Sequence, residues 1–143
     1  MKLKIISIGK IKNQYIQALI NYYSKQIPRI EFIEVKDTDK ESEGNKITQI
    51  IDKINNKYVY CLTEEGMQFD SVAFSNDLKK ISMDHELIFI IGGPDGISDN
   101  LKKQSDFLLS LSSMTYTHEM AKLFLVEQLF RAQSIINKKS YHR

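Results

Sequence analysis

Residues 90–98 read IIGGPDGIS, placing Gly92, Gly93 and Gly96 around an acid, directly behind the apolar run LIFII. Glycines after a strand can cradle phosphate, but neither standard phosphate spacing is present. A Walker loop needs Lys and Ser or Thr after its last glycine, where this chain has Ile97 and Ser98, and the three glycines do not fit G-x-G-x-x-G. Asp95 would also repel a phosphate. Two readings are left: a plain strand-to-helix turn, or a ligand wall at the carboxyl edge of an α/β sheet, where ligands usually bind. Glu127 and Arg131 stand at i and i+4, which suits a surface ion pair worth a few tenths of a kcal/mol or an arginine facing a site at a subunit boundary. The terminal KKSYHR brings together Tyr141, His142 and Arg143, side-chain types that stack on exposed bases and hold phosphates. The alternative is a solvated chain end. His85, His118 and His142 have no ligand spacing with Cys or acids, so no metal is expected.

The elements that must position these residues alternate. KLKIISI is a short β-branched strand, NQYIQALINYYSKQI has helical spacing and is ended by Pro28, and IEFIEV is a second strand. A charged loop follows at 36–43, then ITQIIDKINN as a helix, YVYCL as a third strand, SVAFSNDLKKIS as a helix and LIFII as a fourth strand. Beyond the glycine turn, Ser98 caps LKKQSDFLL as a helix, SLSSMTYTHE is a polar connection, and HEMAKLFLVEQLFRAQSII is a long last helix. Strands separated by helices predict an α/β fold with a mainly parallel sheet covered by helices on both faces, in one domain over 1–143. On the last helix, Ala121, Leu125, Leu129, Ala132 and Ile136 fall on one arc, and Leu123, Val126 and Phe130 on the opposite one. A helix buried on two sides is most simply covered by a second copy, which predicts a homodimer.

Composition excludes several classes. The chain is 42% hydrophobic and 27% charged, which is globular, and a net charge of +2 is too small to mark a nucleic-acid binder by itself. The distribution is uneven: residues 118–143 carry five cations against two acids, while 36–43 hold four acids against two lysines. A single Cys61 inside YVYCL reads as a small buried thiol. No apolar stretch reaches the roughly 20 residues of a membrane helix, and MKLKIISIGK is too short in its apolar part for a secretory signal, so a cytoplasmic protein with no membrane partner is expected.

The order IIGGPDG, SLSSMTYTHEM, VEQLFRA and a terminal YHR resembles the ribosomal RNA large subunit methyltransferase H family of the SPOUT class, and the similarity runs from MKLKIISIGK to the last residue. The resemblance implies a SPOUT-type fold with a C-terminal trefoil knot. It also implies transfer of a methyl group from S-adenosyl-L-methionine to N3 of a pseudouridine in 23S rRNA, on the assembled 70S ribosome. By the same resemblance Leu62, Gly92, Leu111, Ser112, Ser113, Met114, Thr115 and Tyr116 bind the donor, and Lys122, Arg131, Tyr141, His142 and Arg143 meet the RNA. His142 is then the first candidate for proton acceptor and His118 the second, with Arg131 stabilising charge on the carbonyl oxygens and Tyr141 stacking. Other readings are a non-catalytic RNA-binding or ribosome-associated module, and a SPOUT methyltransferase acting on tRNA.

Three positions depart from the family pattern. Thr117 stands where Pro is usual before His118, Lys122 where Arg is usual, and Phe130 where Tyr is usual. Losing Pro is expected to loosen the donor loop, and losing Arg removes a planar fork that pairs bidentately.

Overall fold

A computed structural model describes residues 1–143. Strands β1 (Leu3–Ile8), β2 (Ile30–Val35), β3 (Lys57–Met67), β4 (Glu86–Ile91) and β5 (Phe107–Leu109) form one sheet in the order β2-β1-β4-β3-β5. Every neighbouring pair is parallel. Helices α1 (Gln14–Ser24), α2 (Lys40–Ile51), α3 (Ser71–Ile81), α4 (Asp99–Gln104) and α5 (His118–Ile136) lie between and after the strands.

Strand parity decides which helix covers which face. Leu3 and Ile5 of β1, Tyr60 of β3, and Leu87, Phe89 and Ile91 of β4 share a core with Ile20 of α1, Leu78 of α3 and Leu125 of α5. Ile6, Ile8, Val59, Cys61, Ile88 and Ile90 turn the other way and pack with Ile47 and Ile51 of α2 and Leu101 of α4. β4, at the middle of the sheet, is buried from Leu87 to Ile91 on both faces, which is why its sequence is continuously apolar rather than alternating. Cys61 is a fully buried free thiol, and desolvation pushes its pKa up to about 11.

Four expectations change. The segment 36–43 is a loop only at its start: Asp39 caps α2 by accepting from Ser42 N at 2.9 Å, and the helix begins at Lys40. LKKQSDFLL is not one helix. α4 stops at Gln104, Asp106 pairs with Val59 through its backbone N–H and its carboxylate, and Phe107–Leu109 joins the sheet beside β3. Short apolar runs carry no period that separates strand from helix, and here a free sheet edge settled it. β3 runs on past YVYCL to Met67. Finally, both apolar arcs of α5 are covered inside one chain, because α5 lies between α1 and α3 on the sheet. Leu123, Leu125, Val126, Leu129 and Ala132 are all buried there, so the arcs do not require a second copy.

Candidate functional site

At the carboxyl edge of the sheet, β4 ends at Ile91 and the chain turns through Gly93-Pro94-Asp95-Gly96, with Gly96 N donating to Gly93 O at 3.0 Å. Gly96 sits at φ +79°, a left-handed value that glycine adopts without strain. Gly92 is required for another reason. A Cβ there would lie 2.8 Å from Gly96 C and 2.9 Å from Ile97 Cγ1, so the turn could not fold back on itself. The turn then delivers Ser98, whose hydroxyl accepts from Leu101 N and caps α4.

This turn is one wall of a cavity of about 750 Å³. A second wall is Leu62 to Glu65 on the extended part of β3, and the third is the loop from Leu111 to Thr117 with His118 and Ala121 at the start of α5. The loop is held by its own serines: Ser110 Oγ donates to Ser112 O at 2.8 Å, and Ser112 Oγ accepts from Met114 N at 3.0 Å. Thr115 Oγ1 reaches Glu64 across the cavity at 3.4 Å. At the mouth, Lys102 of α4 pairs with Glu65 at 2.6 Å, which holds the Glu65 carboxyl below its ordinary value.

Seven of the eight residues expected to hold the donor meet here: Leu62, Gly92, Leu111, Ser112, Met114, Thr115 and Tyr116. Ser113 is exposed and does not line the cavity. Thr63, Glu64 and Glu65 line it and were not foreseen. Their signal would have been β3 itself, since a strand eleven residues long carries TEEGM up to the sheet edge. His118 is in the wall with its Nε2 buried and without a hydrogen-bond partner. Backbone, small hydroxyls and apolar side chains beside the Glu64, Glu65 and Asp95 carboxylates fit a heterocycle, a ribose and a cationic group better than a polyphosphate.

Thr117 stands at the start of α5. Its φ of −62° is the angle proline would impose, and its hydroxyl caps α5 by accepting from Met120 N at 3.2 Å. Lys122 faces inward rather than toward solvent. It is 4% exposed, its Nζ donates to Ser7 Oγ at 3.2 Å on β1, and it lies 5.2 Å from the Phe32 ring centroid. Desolvation lowers its pKa, with the nearby Glu34 opposing. In this place it ties α5 to the sheet, and no phosphate reaches it from outside.

The tail forms a separate cluster on α5. Glu127 Oε1 accepts from Arg131 Nη2 and from Tyr141 OH, the latter at 2.9 Å, and the Arg131 guanidinium lies 4.9 Å from the Tyr141 ring centroid. The carboxylate and the hydrogen bond raise the Arg131 pKa, and burial followed by hydrogen bonding to Tyr23 and Glu127 raises that of Tyr141. Phe130 packs edge-on against Tyr141 at 4.6 Å, so the ring is used even without a hydroxyl. Arg131 Nη1 contacts His142 Nδ1 at 3.1 Å. Because guanidinium only donates, Nδ1 is the acceptor at this contact. Arg143 is exposed. The tail is therefore docked on α5, although its three residues are too few for any periodic signal.

The SPOUT methyltransferase pattern, described as "Predicted SPOUT methyltransferase", matches residues 1–142. A protein of Acholeplasma laidlawii named "Ribosomal RNA large subunit methyltransferase H" is 47% identical over the whole of both chains. This chain belongs to the SPOUT methyltransferases, in the ribosomal RNA large subunit methyltransferase H family. Relatives with the same name in Prochlorococcus marinus (41% identical, 99% of this chain and 96% of theirs) and Parasynechococcus marenigrum (39%, 98% and 95%) extend over nearly the same length. Among solved structures, a probable methylase family protein from Haemophilus influenzae shares the fold at a TM-score of 0.65 and 11% identity, over 99% of this chain and 70% of that one. The SpoU methyltransferase AviRb from Streptomyces viridochromogenes, solved in complex with the cofactor AdoMet, is similar at a TM-score of 0.54 and 11% identity, over 92% of this chain and 58% of AviRb. At such identities the likeness is one of fold. No helix of this SPOUT methyltransferase is long and apolar enough to cross a membrane, and no group of three or more His, Cys, Asp or Glu side chains could hold a metal ion.

Proposed function

We propose that this SPOUT methyltransferase transfers a methyl group from S-adenosylmethionine to N3 of a pseudouridine in 23S rRNA, as part of the assembled ribosome, in the cytoplasm. The observation that carries the reading is the cavity of about 750 Å³ in which the glycine turn, Leu62 and the 111–116 loop converge. The relatives' names supply the rRNA. The small net charge of the chain supports a target whose shape adds contacts that phosphate attraction does not provide.

When bound, the donor supplies a methyl on a sulfonium whose charge is lost as the methyl moves, so alignment in a site with little water contributes most. Well-oriented reactants can account for roughly 7 to 11 kcal/mol of such a barrier. Gly92 and the loop backbone orient it, and Leu62 and Leu111 exclude water. The chain closes over the site as a trefoil knot, with α5 passing through the preceding loop. Arg131 stabilises the carbonyl oxygens beside the reacting nitrogen. His142 receives the imide proton at Nδ1 once the RNA has drawn Arg131 away from that atom. Tyr141 stacks and Arg143 holds phosphate.

The protein acts as a homodimer. Support comes from α1 rather than from the buried arcs of α5: Tyr15, Leu19 and Tyr22 lie at i, i+4 and i+7 and are 72%, 45% and 61% exposed, an apolar face left open on one chain. Light scattering at micromolar concentration should give twice the mass of one chain, and a monomer with full activity would remove this part.

Incubation with methyl-labelled S-adenosylmethionine and either 70S ribosomes, free subunits or tRNA tests the whole reading. Label is expected in the large-subunit rRNA of 70S particles. Label in tRNA instead, or donor binding with no transfer to any of the three, would overturn it.

A further inference from the structure

The acids and lysines on the wall of the donor cavity are Lys40, Glu64, Glu65, Asp95 and Lys102. Two of them neutralise each other, since Lys102 Nζ meets Glu65 at 2.6 Å. The remaining charges are uncommitted. Lys40 and Asp95 take part in no ion pair, and Glu64 has only the Thr115 hydroxyl at 3.4 Å. The acids beside Lys40 in the sequence are used elsewhere: Asp39 accepts from Ser42 N at 2.9 Å, and Glu43 accepts from Thr38 N at 2.8 Å.

The fold brings these charges together from three elements. Lys40 opens α2, Glu64 lies on β3, and Asp95 stands in the turn after β4. The start of α2 is held against that turn by close packing. A Cβ on Gly44 would lie 2.5 Å from Ser98 Oγ, and one on Gly93 would lie 3.8 Å from Asp37 Oδ1. Lys40 is therefore fixed at the cavity by the same steric fit that shapes the glycine turn, although its own side chain is exposed.

S-adenosylmethionine carries a sulfonium, an α-ammonium and an α-carboxylate. The uncommitted wall carries the opposite pattern, two carboxylates and one ammonium. We propose that Lys40 binds the carboxylate of the donor's methionine part and that Glu64 and Asp95 face its cationic groups, so that the wall selects the charged donor over the demethylated product. In the transfer the bond from sulfur to the methyl carbon breaks, its electron pair stays on sulfur as an uncharged thioether, and the carbon bonds to nitrogen. S-adenosylhomocysteine thus keeps the ammonium and the carboxylate and loses the sulfonium charge. Lys40 serves donor and product alike, whereas the two acids favour the donor and ease the release of the product. The inference rests on the donor reading of the cavity and is independent of which RNA is methylated.

Calorimetry with three probes tests it: S-adenosylmethionine, S-adenosylhomocysteine, and decarboxylated S-adenosylmethionine, which lacks the carboxylate. Lys40→Gln should weaken the first two by roughly 3- to 10-fold, between a screened surface pair and a charge-assisted hydrogen bond, and leave the third unchanged. Equal weakening of all three would overturn the Lys40 assignment, since the lysine would then only shape α2, and so would unchanged affinity for S-adenosylmethionine. Glu64→Gln combined with Asp95→Asn should reduce the preference for donor over product by roughly 3- to 10-fold, and less so in high salt, which screens exposed charges. An unaltered preference would overturn the selection by charge. Wild-type protein that binds none of the probes would remove the donor reading itself, and this inference with it.

Discussion

The glycine turn and the C-terminal tail are built on opposite principles. At the turn, the working surface is backbone fixed by steric exclusion: Gly92 has no room for a Cβ, Gly96 takes a left-handed φ, and the loop opposite is held by Ser110 and Ser112 bonding to their own neighbours. At the tail, the surface is side chain, held by one carboxylate: Glu127 fixes Arg131 and Tyr141, and Arg131 fixes His142. A backbone wall is as rigid as the sheet it extends. A side-chain cluster at a chain end is only as rigid as its hydrogen bonds, and it can be rearranged by a ligand. On the function proposed above, the donor pocket is preformed and the tail adjusts when the RNA arrives.

Substitutions should break the two regions in different ways. The largest effect is expected from Gly92→Val. Because the added Cβ meets Gly96 backbone rather than open cavity, donor affinity by calorimetry and the thermal midpoint should both fall, and lost affinity with an unchanged midpoint would show that the turn tolerates the side chain. Deleting Tyr141 to Arg143 removes the bond to Glu127 and the packing on Phe130, so the midpoint should drop slightly, while donor affinity stays intact and single-turnover methylation falls by at least about 100-fold, the range of a lost proton acceptor. His142→Ala alone should account for most of this, and a wild-type rate in the truncated chain would show that the docked tail is only an end.

Smaller effects sharpen the comparison. Thr117→Ala removes the α5 cap at the edge of the donor loop and should cost about 1 kcal/mol in denaturant unfolding, whereas Thr117→Pro keeps the φ and should lose less. The smallest effect concerns Glu43, 4% exposed behind the glycine turn, where it accepts from Thr38 N at 2.8 Å. Burial raises its pKa, and the Asp37 and Asp95 carboxyls raise it further. A raised folded-state value means that the folded chain binds the proton more tightly, so Glu43's contribution is most favourable at low pH and is lost as pH rises through that folded value above 4.5. Glu43→Gln should therefore stabilise the protein at pH 7 relative to wild type, with the advantage shrinking as pH falls toward 4.5. A difference that does not vary with pH would mean that folding leaves the Glu43 pKa where it is in the unfolded chain.

Much of this was legible in the residues. The periodicity of HEMAKLFLVEQLFRAQSII marks α5 to its last residue, and the continuous apolar run of β4 marks a strand buried on both faces. The motifs at 90–98 and 111–116 bring six of the residues expected to hold the donor to one cavity, and Leu62 at the end of YVYCL is the seventh. Less legible was anything that depends on a partner distant in sequence. Phe107–Leu109 becomes a strand because the edge of β3 is free to pair with it. Lys122 turns inward because Ser7, on an odd position of β1, presents a hydroxyl to the same face of the sheet. The two arcs of α5 are apolar because α1 and α3 flank it.

The sequence by itself determined the alternation of strands and helices, the positions where only glycine fits, and the chemistry available at the chain end, because each follows from local sterics and side-chain type. Only the tertiary structure decided that 36–43 is partly helix, that Thr117 caps α5, and that the tail docks on α5 through Glu127 and Arg131. Those outcomes depend on distances between residues far apart along the chain, such as Lys122 Nζ to Ser7 Oγ at 3.2 Å or Asn13 N to Glu119 at 3.0 Å, and such distances are set by the packing of the whole sheet and its helices rather than by any stretch of the sequence.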